Sequence, residues 1–471
     1  MQVCALSIKE KYHYLYIFLP IPGPMILVYC PKPANRIDYV CDLLLGNLLG
    51  AEWKLTSSQE DFLAHDGPAI NYSRSAILAK TVFIPACGFL QERGVHYFVP
   101  EIRWTEDLPL LFPADEDQGL GFDLFAAVFY MVSRYEEYLP HKTDVYGRFE
   151  AAESFAFKNQ FLQKPVVNHY ALILKKELNK NFPDLKLPDK AFTFLPTYDI
   201  DVAYAYKGRG LIRSVLGSIR SLLQRDLKAI AERVGVVMKK RQDPFDTYDY
   251  QIALYKQSGI KACYFFLLGD YGHYDKNIAY YSKSLISLIK MIGDYAHAGI
   301  HPSFASNSDE SMPGIEARRL SSILNQEVKL SRQHYLKLHM PATYQKLLEE
   351  NMSHDFTMGF ASQPGFRAGI CSPFKFYDLQ SEKRTPLIVI PFTLMDGSFR
   401  QYLGLNPEQS MPVINKLMDE VEKVGGMFVS LWHNDSLSDR GMWKGWKALY
   451  ENMYLAAAKK HKKNYDPLSE T

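Results

Sequence analysis

The chain reads as an α/β protein made of a parallel barrel in its carboxyl-terminal part and a smaller α/β unit ahead of it. Three observations predict this. At 471 residues the chain exceeds the usual size of one domain. From Ala191 onward, short apolar runs alternate with helical patterns, as in a parallel sheet wrapped by helices. Three of those runs end on an aspartate or histidine, and a parallel barrel gathers its strand ends at one rim.

The amino-terminal unit is assigned to residues 1–187. Met25–Tyr29 and Thr81–Pro85 read as buried strands, and Leu120–Tyr138 as a helix with an apolar face at Leu124, Val128, Tyr130 and Met131. Tyr14–Cys30 is apolar and follows Lys9 and Lys11, but prolines at 20, 22 and 24 interrupt it. It therefore reads as neither a signal peptide nor an anchor, and a cytoplasmic location is expected. The unit carries no nucleotide-binding glycine loop. A polar stretch bounded by Pro183 and Pro188 reads as a linker.

The second part, 188–471, offers seven strand candidates: Phe192–Thr197, Ala262–Leu268, Gly299–Phe304, Tyr335–Met340, Phe356–Ala361, Leu387–Phe392 and Met427–Leu431. An insertion at about 206–242 carries Arg213, Arg220, Arg225, Lys228, Arg233, Lys239, Lys240 and Arg241 among aliphatic residues. A basic amphipathic segment can touch an anionic membrane surface. A helical flap beside the rim is the expected reading, because the insertion directly follows the Asp-x-Asp stretch.

Composition narrows the partners. A hydrophobic share of 47% and a charged share of 23% are those of a globular protein, and a net charge of +2 gives no basis for nucleic acid as a partner. The six cysteines are scattered, with no metal or redox spacing, and suit free thiols in a reducing compartment. Nothing in the sequence determines the oligomeric state.

The chemistry-bearing residues sit where the apolar runs end. Thr197-Tyr198-Asp199-Ile200-Asp201 puts two carboxylates on one side of a strand, since alternate residues share a face. Gly299-Ile300-His301 and Leu431-Trp432-His433 end two further runs on histidine. Taken singly, an Asp-x-Asp can cap a turn and a histidine can be an ordinary buried polar group. Their common position at successive strand ends points to hydrolysis instead.

At these residues the part from Phe192 to about Trp446 resembles the polysaccharide deacetylase family, the NodB-homology carbohydrate esterases, in the divergent branch that writes its first motif as Asp-x-Asp. The preceding unit resembles an uncharacterised module that accompanies such barrels. The resemblance implies a distorted seven-stranded (β/α) barrel and a divalent metal, zinc foremost. It implies Asp199 as catalytic base, Asp201 and His301 as metal ligands, Arg367 in Gly365-Phe366-Arg367-Ala368-Gly369 as the arginine that orients the base, and His433 as general acid. Where the family repeats its histidine four positions after the first, this chain has Ala305, and His334 is the candidate to complete the metal set. Asp435 or a neighbour would hold the other nitrogen of His433.

The function so implied is metal-dependent removal of N-acetyl or O-acetyl groups from a carbohydrate or glycan precursor. Tyr198, Phe304, Asp396 and Trp432 are the candidate substrate contacts, aromatic faces packing on sugar rings. Two other classes stand beside it: a metal-independent amide or ureide hydrolase on the same barrel, which Ala305 would suit, and a non-catalytic carbohydrate-binding or scaffold protein.

Overall fold

The amino-terminal unit is built on four short strands, β1 (Ile26–Tyr29), β2 (Trp53–Thr56), β3 (Ala69–Ser73) and β4 (Val82–Pro85), all parallel in the order β2-β1-β3-β4. The computed structural model describes residues 25–77, 80–208, 227–309, 311–462, 465, 466 and 468. The central strands β1 and β3 are buried throughout, whereas the edge strand β2 is partly exposed, as a sheet covered on both faces requires. A hairpin of β5 (Ile102–Thr105) and β6 (Leu108–Leu111) follows. The helix expected over Leu120–Tyr138 is shorter and apolar all round. It spans Leu124–Val132, is capped by Asp123 accepting from the Ala126 amide at 2.9 Å, and is buried at every position. Arg134, in the left-handed region at φ 54°, ends it.

A nine-stranded sheet forms the second part: β7 (Thr193–Ile200), β8 (Cys263–Phe266), β9 (His297–Ile300), β10 (Leu330–Ser331), β11 (His354–Asp355), β12 (Phe374–Asp378), β13 (Lys383–Val389), β14 (Leu394–Met395) and β15 (Met427–His433). Its order is β12-β13-β11-β10-β9-β8-β7-β15-β14, parallel throughout except for β12. The strand pairing does not close into the seven-stranded barrel expected. β13, second from one edge, and β14, at the other edge, lie far apart in the sheet although only residues 390–393 separate them, and Pro391 there has no N–H to donate to a ladder. Single bonds from Phe392 N to Met358 O (3.1 Å) and Thr393 N to Val429 O (2.8 Å) bridge the gap.

The strand expected at Tyr335–Met340 is replaced by the two-residue β10. Tyr335 and Leu336, both left-handed at φ 61° and 54°, turn the chain away immediately after it. Period-two alternation separates two apolar layers. Leu195, Phe265, Phe356, Phe392, Val429 and Leu431 fill an inner cluster, while Phe194, Tyr198, Phe428 and Trp432 pack outward in the larger core.

That larger core runs through both parts of the chain. Arg36 Nε donates to Glu382 at 3.0 Å, Tyr39 donates to the Lys375 carbonyl at 2.7 Å, and Arg367 Nη2 donates to Glu137 at 2.6 Å. Residues 182–192 between the parts carry neither helix nor strand. Residues 209–226 of the basic insertion lie outside the described residues; Leu227–Val237 is helical. Among the described residues no helix is long and apolar enough to cross a membrane.

Candidate metal centre and cleft

The parallel register carries every chemistry-bearing residue to the carboxyl ends of the strands, where open α/β sheets place their sites. His433 pairs across from Asp199 in the β15–β7 ladder, Asp201 follows β7, His301 follows β9, Arg332 and His334 follow β10, and Asp396 follows β14. Asp199 and Asp201 share the inward side of β7. Tyr198, which precedes Asp199, points out, and its hydroxyl bonds Tyr450.

Asp201, His301 and His334 each turn one ligand atom to a common point, all within 4.8 Å of one another. His301 Nε2 lies 3.1 Å from Asp201 Oδ1 and His334 Nε2 lies 3.6 Å from Asp201 Oδ2. The other nitrogens are already committed. His301 Nδ1 donates to the Arg332 carbonyl at 2.5 Å, and His334 Nδ1 to Asp275 at 2.8 Å. In the neutral rings these bonds hold the proton on Nδ1 and leave Nε2 for a ligand, the carbonyl–histidine and carboxylate–histidine arrangement of metal sites. Asp201 Oδ1 is buried without a hydrogen-bond partner. Two imidazoles and a carboxylate whose buried Oδ1 is orphaned fit a divalent transition ion.

Two further residues flank this group. Asp199 Oδ2 is 3.7 Å from His301 Nε2, while its Oδ1 accepts from Arg332 Nη1 at 2.8 Å. Arg332 is fully buried, lies over the Phe265 ring at 4.5 Å, and also donates to Thr197 and the Phe356 carbonyl. On the far side, His433 Nε2 stands 3.7 Å from Asp201 Oδ2, and its Nδ1 donates to Asp396 at 2.8 Å. Asp396 also accepts from the His433 and Gly397 amides.

The charges reinforce one another. Burial opposes ionisation of Asp201, but His334 above all, with His301 and His433, holds its carboxyl well below the usual range. Burial likewise works against the charge on His334, yet Asp201 and Asp275 raise its pKa to about 9. In the same way Asp396 outweighs burial and lifts His433 well above an ordinary histidine. Asp435, on the cleft wall, is pushed up to about 6 by burial.

The cleft above these groups encloses about 320 Å³ and is lined also by Arg148, Tyr274, Lys276, Tyr335, Tyr402 and Trp443. An adjoining chamber of about 280 Å³ shares Arg148, Leu336, Ala361 and Tyr402 with it.

Several expected residues are elsewhere. Arg367 does not reach Asp199; it is bonded to Glu137 through Nε at 2.9 Å and Nη2 at 2.6 Å, and the arginine on Asp199 is Arg332. Tyr198 and Trp432 are buried on the outward face, Trp432 against Trp446 and Tyr450, because each alternates with an inward residue. Phe304 is one ring behind the wall, packed on Tyr274 at 4.3 Å. Asp396 meets the imidazole of His433, the part expected of Asp435. Ala305 is exposed, and its amide donates to Asp275 at 3.2 Å, so this position supports His334 through the backbone. Asp275 and Arg332 were missed by sequence reasoning. Arg332-x-His334 repeats the i, i+2 spacing of Asp199-x-Asp201, and that was the available signal.

A family model described as "Family of unknown function (DUF7033)" matches residues 26–183. No curated protein matches the chain. Among solved structures, one from Mycobacterium smegmatis assigned to the polysaccharide deacetylases is similar at 14% identity and TM-score 0.39, over 58% of this chain and 86% of that one. A probable polysaccharide deacetylase from Pseudomonas aeruginosa PAO1 is similar at 14% identity and TM-score 0.36, over 58% and 86%. A CE4 family pseudoenzyme from Bacillus anthracis is similar at 11% identity and TM-score 0.27, over 57% and 62%. At such identities and scores these likenesses carry no argument about the chemistry of this chain.

Proposed function

We propose that this cleft is the active site of a metal-dependent hydrolase that removes the N-acetyl or O-acetyl group of an acetylated sugar or glycan precursor, with zinc held by Asp201, His301 and His334. The observation that carries this is the triad of Asp201, His301 and His334 flanked by a carboxylate fixed by arginine and an imidazole fixed by carboxylate. A zinc ion in that set supplies Lewis acidity toward a water and the acetyl carbonyl. Asp199 takes the proton of the attacking water through Oδ2, the oxygen that Arg332 leaves open. His433 returns a proton from Nε2 to the leaving nitrogen or oxygen, because Asp396 occupies Nδ1 and favours the charged ring.

The metal-free alternative drew its force from Ala305, and His334 supplies the second imidazole that Ala305 lacks. Action in the cytoplasm belongs to the same proposal, and the free thiols of Cys30, Cys41, Cys87, Cys263 and Cys371 suit it. The test is acetate release from a panel of acetylated mono- and oligosaccharides with zinc or cobalt present. Asp199→Asn should lower the rate on the order of a hundredfold to ten-thousandfold with the fold intact. Release unchanged by Asp199→Asn would refute the roles assigned, and no release from any member would favour the carbohydrate-binding or scaffold reading.

A further inference from the structure

We propose that the amino-terminal unit completes the metal centre: Arg148 is a positioning residue that clamps the turn carrying His334, so that metal binding and the seating of residues 143–149 are coupled. This rests on the assignment of His334 to the metal made above. Thr143 and Phe149 close a small hairpin with Gly147 left-handed at φ 76°, and Asp144 Oδ1 accepts from the Tyr146 and Arg148 amides at 2.9 Å each. Asp144 Oδ2 then accepts from Arg148 Nε at 2.7 Å, which aims the guanidinium before it meets the second part.

Both terminal nitrogens reach the second part, although Nη2 also lies 2.6 Å from Asp144 Oδ2. Nη1 donates to the Tyr335 carbonyl at 2.8 Å and Nη2 to the Tyr402 hydroxyl at 2.9 Å, with the Arg148 side chain only 8% exposed. Tyr335 directly follows His334, and it and Leu336 hold left-handed conformations that non-glycine residues adopt only when their surroundings impose them. Asp275 holds the imidazole of His334 from one side and Arg148 holds the backbone that follows it from the other. The Tyr335 ring adds to the clamp, packing at a tilt on Tyr146 of the hairpin with ring centroids 4.9 Å apart. A ligand that prefers His334 in this position must favour the seated hairpin by the same factor.

The test uses the full-length, metal-stripped chain with zinc and cobalt as probes. Zinc affinity in Arg148→Met should fall on the order of tenfold, the lower range for an outer-sphere partner. The cobalt absorption spectrum should change with it, and Arg148→Lys should recover part of the loss because an ammonium can still reach one acceptor. In the wild type, zinc should slow amide exchange at Tyr146 and Arg148. Wild-type zinc affinity in Arg148→Met, or exchange in the hairpin that zinc does not alter, would overturn the proposal even if the variant melts earlier. If Arg148→Met does not fold, the wild-type exchange measurement decides alone. Failure of the wild type to bind any metal would instead bring down the metal assignment, and this coupling with it.

Discussion

Arg332 and Asp199 form a buried ion pair, Nη1 to Oδ1 at 2.8 Å, that ties the end of β10 to the end of β7 across two intervening strands. Breaking such a pair by removing one partner leaves an uncompensated buried charge, at a cost of about 3–5 kcal/mol. Arg332→Lys is the milder test, since it keeps the charge and loses the fork. It should lower acetate release at least about tenfold, while Arg367→Lys should lower the melting temperature through Glu137 and leave the rate near wild type. Equal rate losses in the two variants would return Arg367 to the site.

Asp396→Asn should cost about a hundredfold in rate, within the range for outer partners and acid–base groups. The amide cannot favour a charged His433 as the carboxylate does. Steady-state kinetics on the best substrate of the panel checks this, and loss of folding in the circular dichroism spectrum would make Asp396 a structural residue instead.

The Glu137 carboxyl is held down to about 2, burial opposing its charge and Arg367 and Arg134 outweighing burial. A depressed carboxyl stabilises the fold above its unfolded value near 4.5 and loses that contribution as pH falls toward 2. The difference amounts to about 3 kcal/mol. Chemical denaturation from pH 6 to pH 2 should therefore show a steeper acid loss in wild type than in Glu137→Gln. Parallel curves would mean that the Arg134–Glu137–Arg367 cluster does not couple to folding.

We propose a boundary between the two parts at residues 183–190, inside the stretch without helix or strand. Limited proteolysis should cut there first. The shared core and the Arg36–Glu382 and Glu137–Arg367 pairs should keep the two fragments together on size exclusion until denaturant is added. First cuts elsewhere would remove the boundary.

What was legible in the sequence follows from how much local pattern each residue carried. Asp199, Asp201 and His433 end long apolar strands, so period two alone put them on one side. The same period, applied to Tyr198 and Trp432, points both away from the cleft, which proximity in sequence concealed. Arg332 and His334 follow a strand of two residues, too short to leave a periodic trace. The apolar residues after it, Tyr335–Met340, suggested a strand that two left-handed residues exclude. Arg367 sits in a glycine-flanked motif that resembles an orienting arginine, but its partner Glu137 is 230 positions away and no local pattern announces it. Pro391 marks the break between β13 and β14 that keeps the strand pairing from closing.

The most direct test of the account is calorimetric titration of the metal-stripped chain with zinc, wild type beside His334→Ala and Asp201→Ala. One site per chain is expected, abolished by Asp201→Ala and weakened at least about tenfold by His334→Ala, since loss of an inner ligand should cost no less than loss of an outer one. Zinc bound equally well without His334, or not bound at all by the wild type, would contradict it.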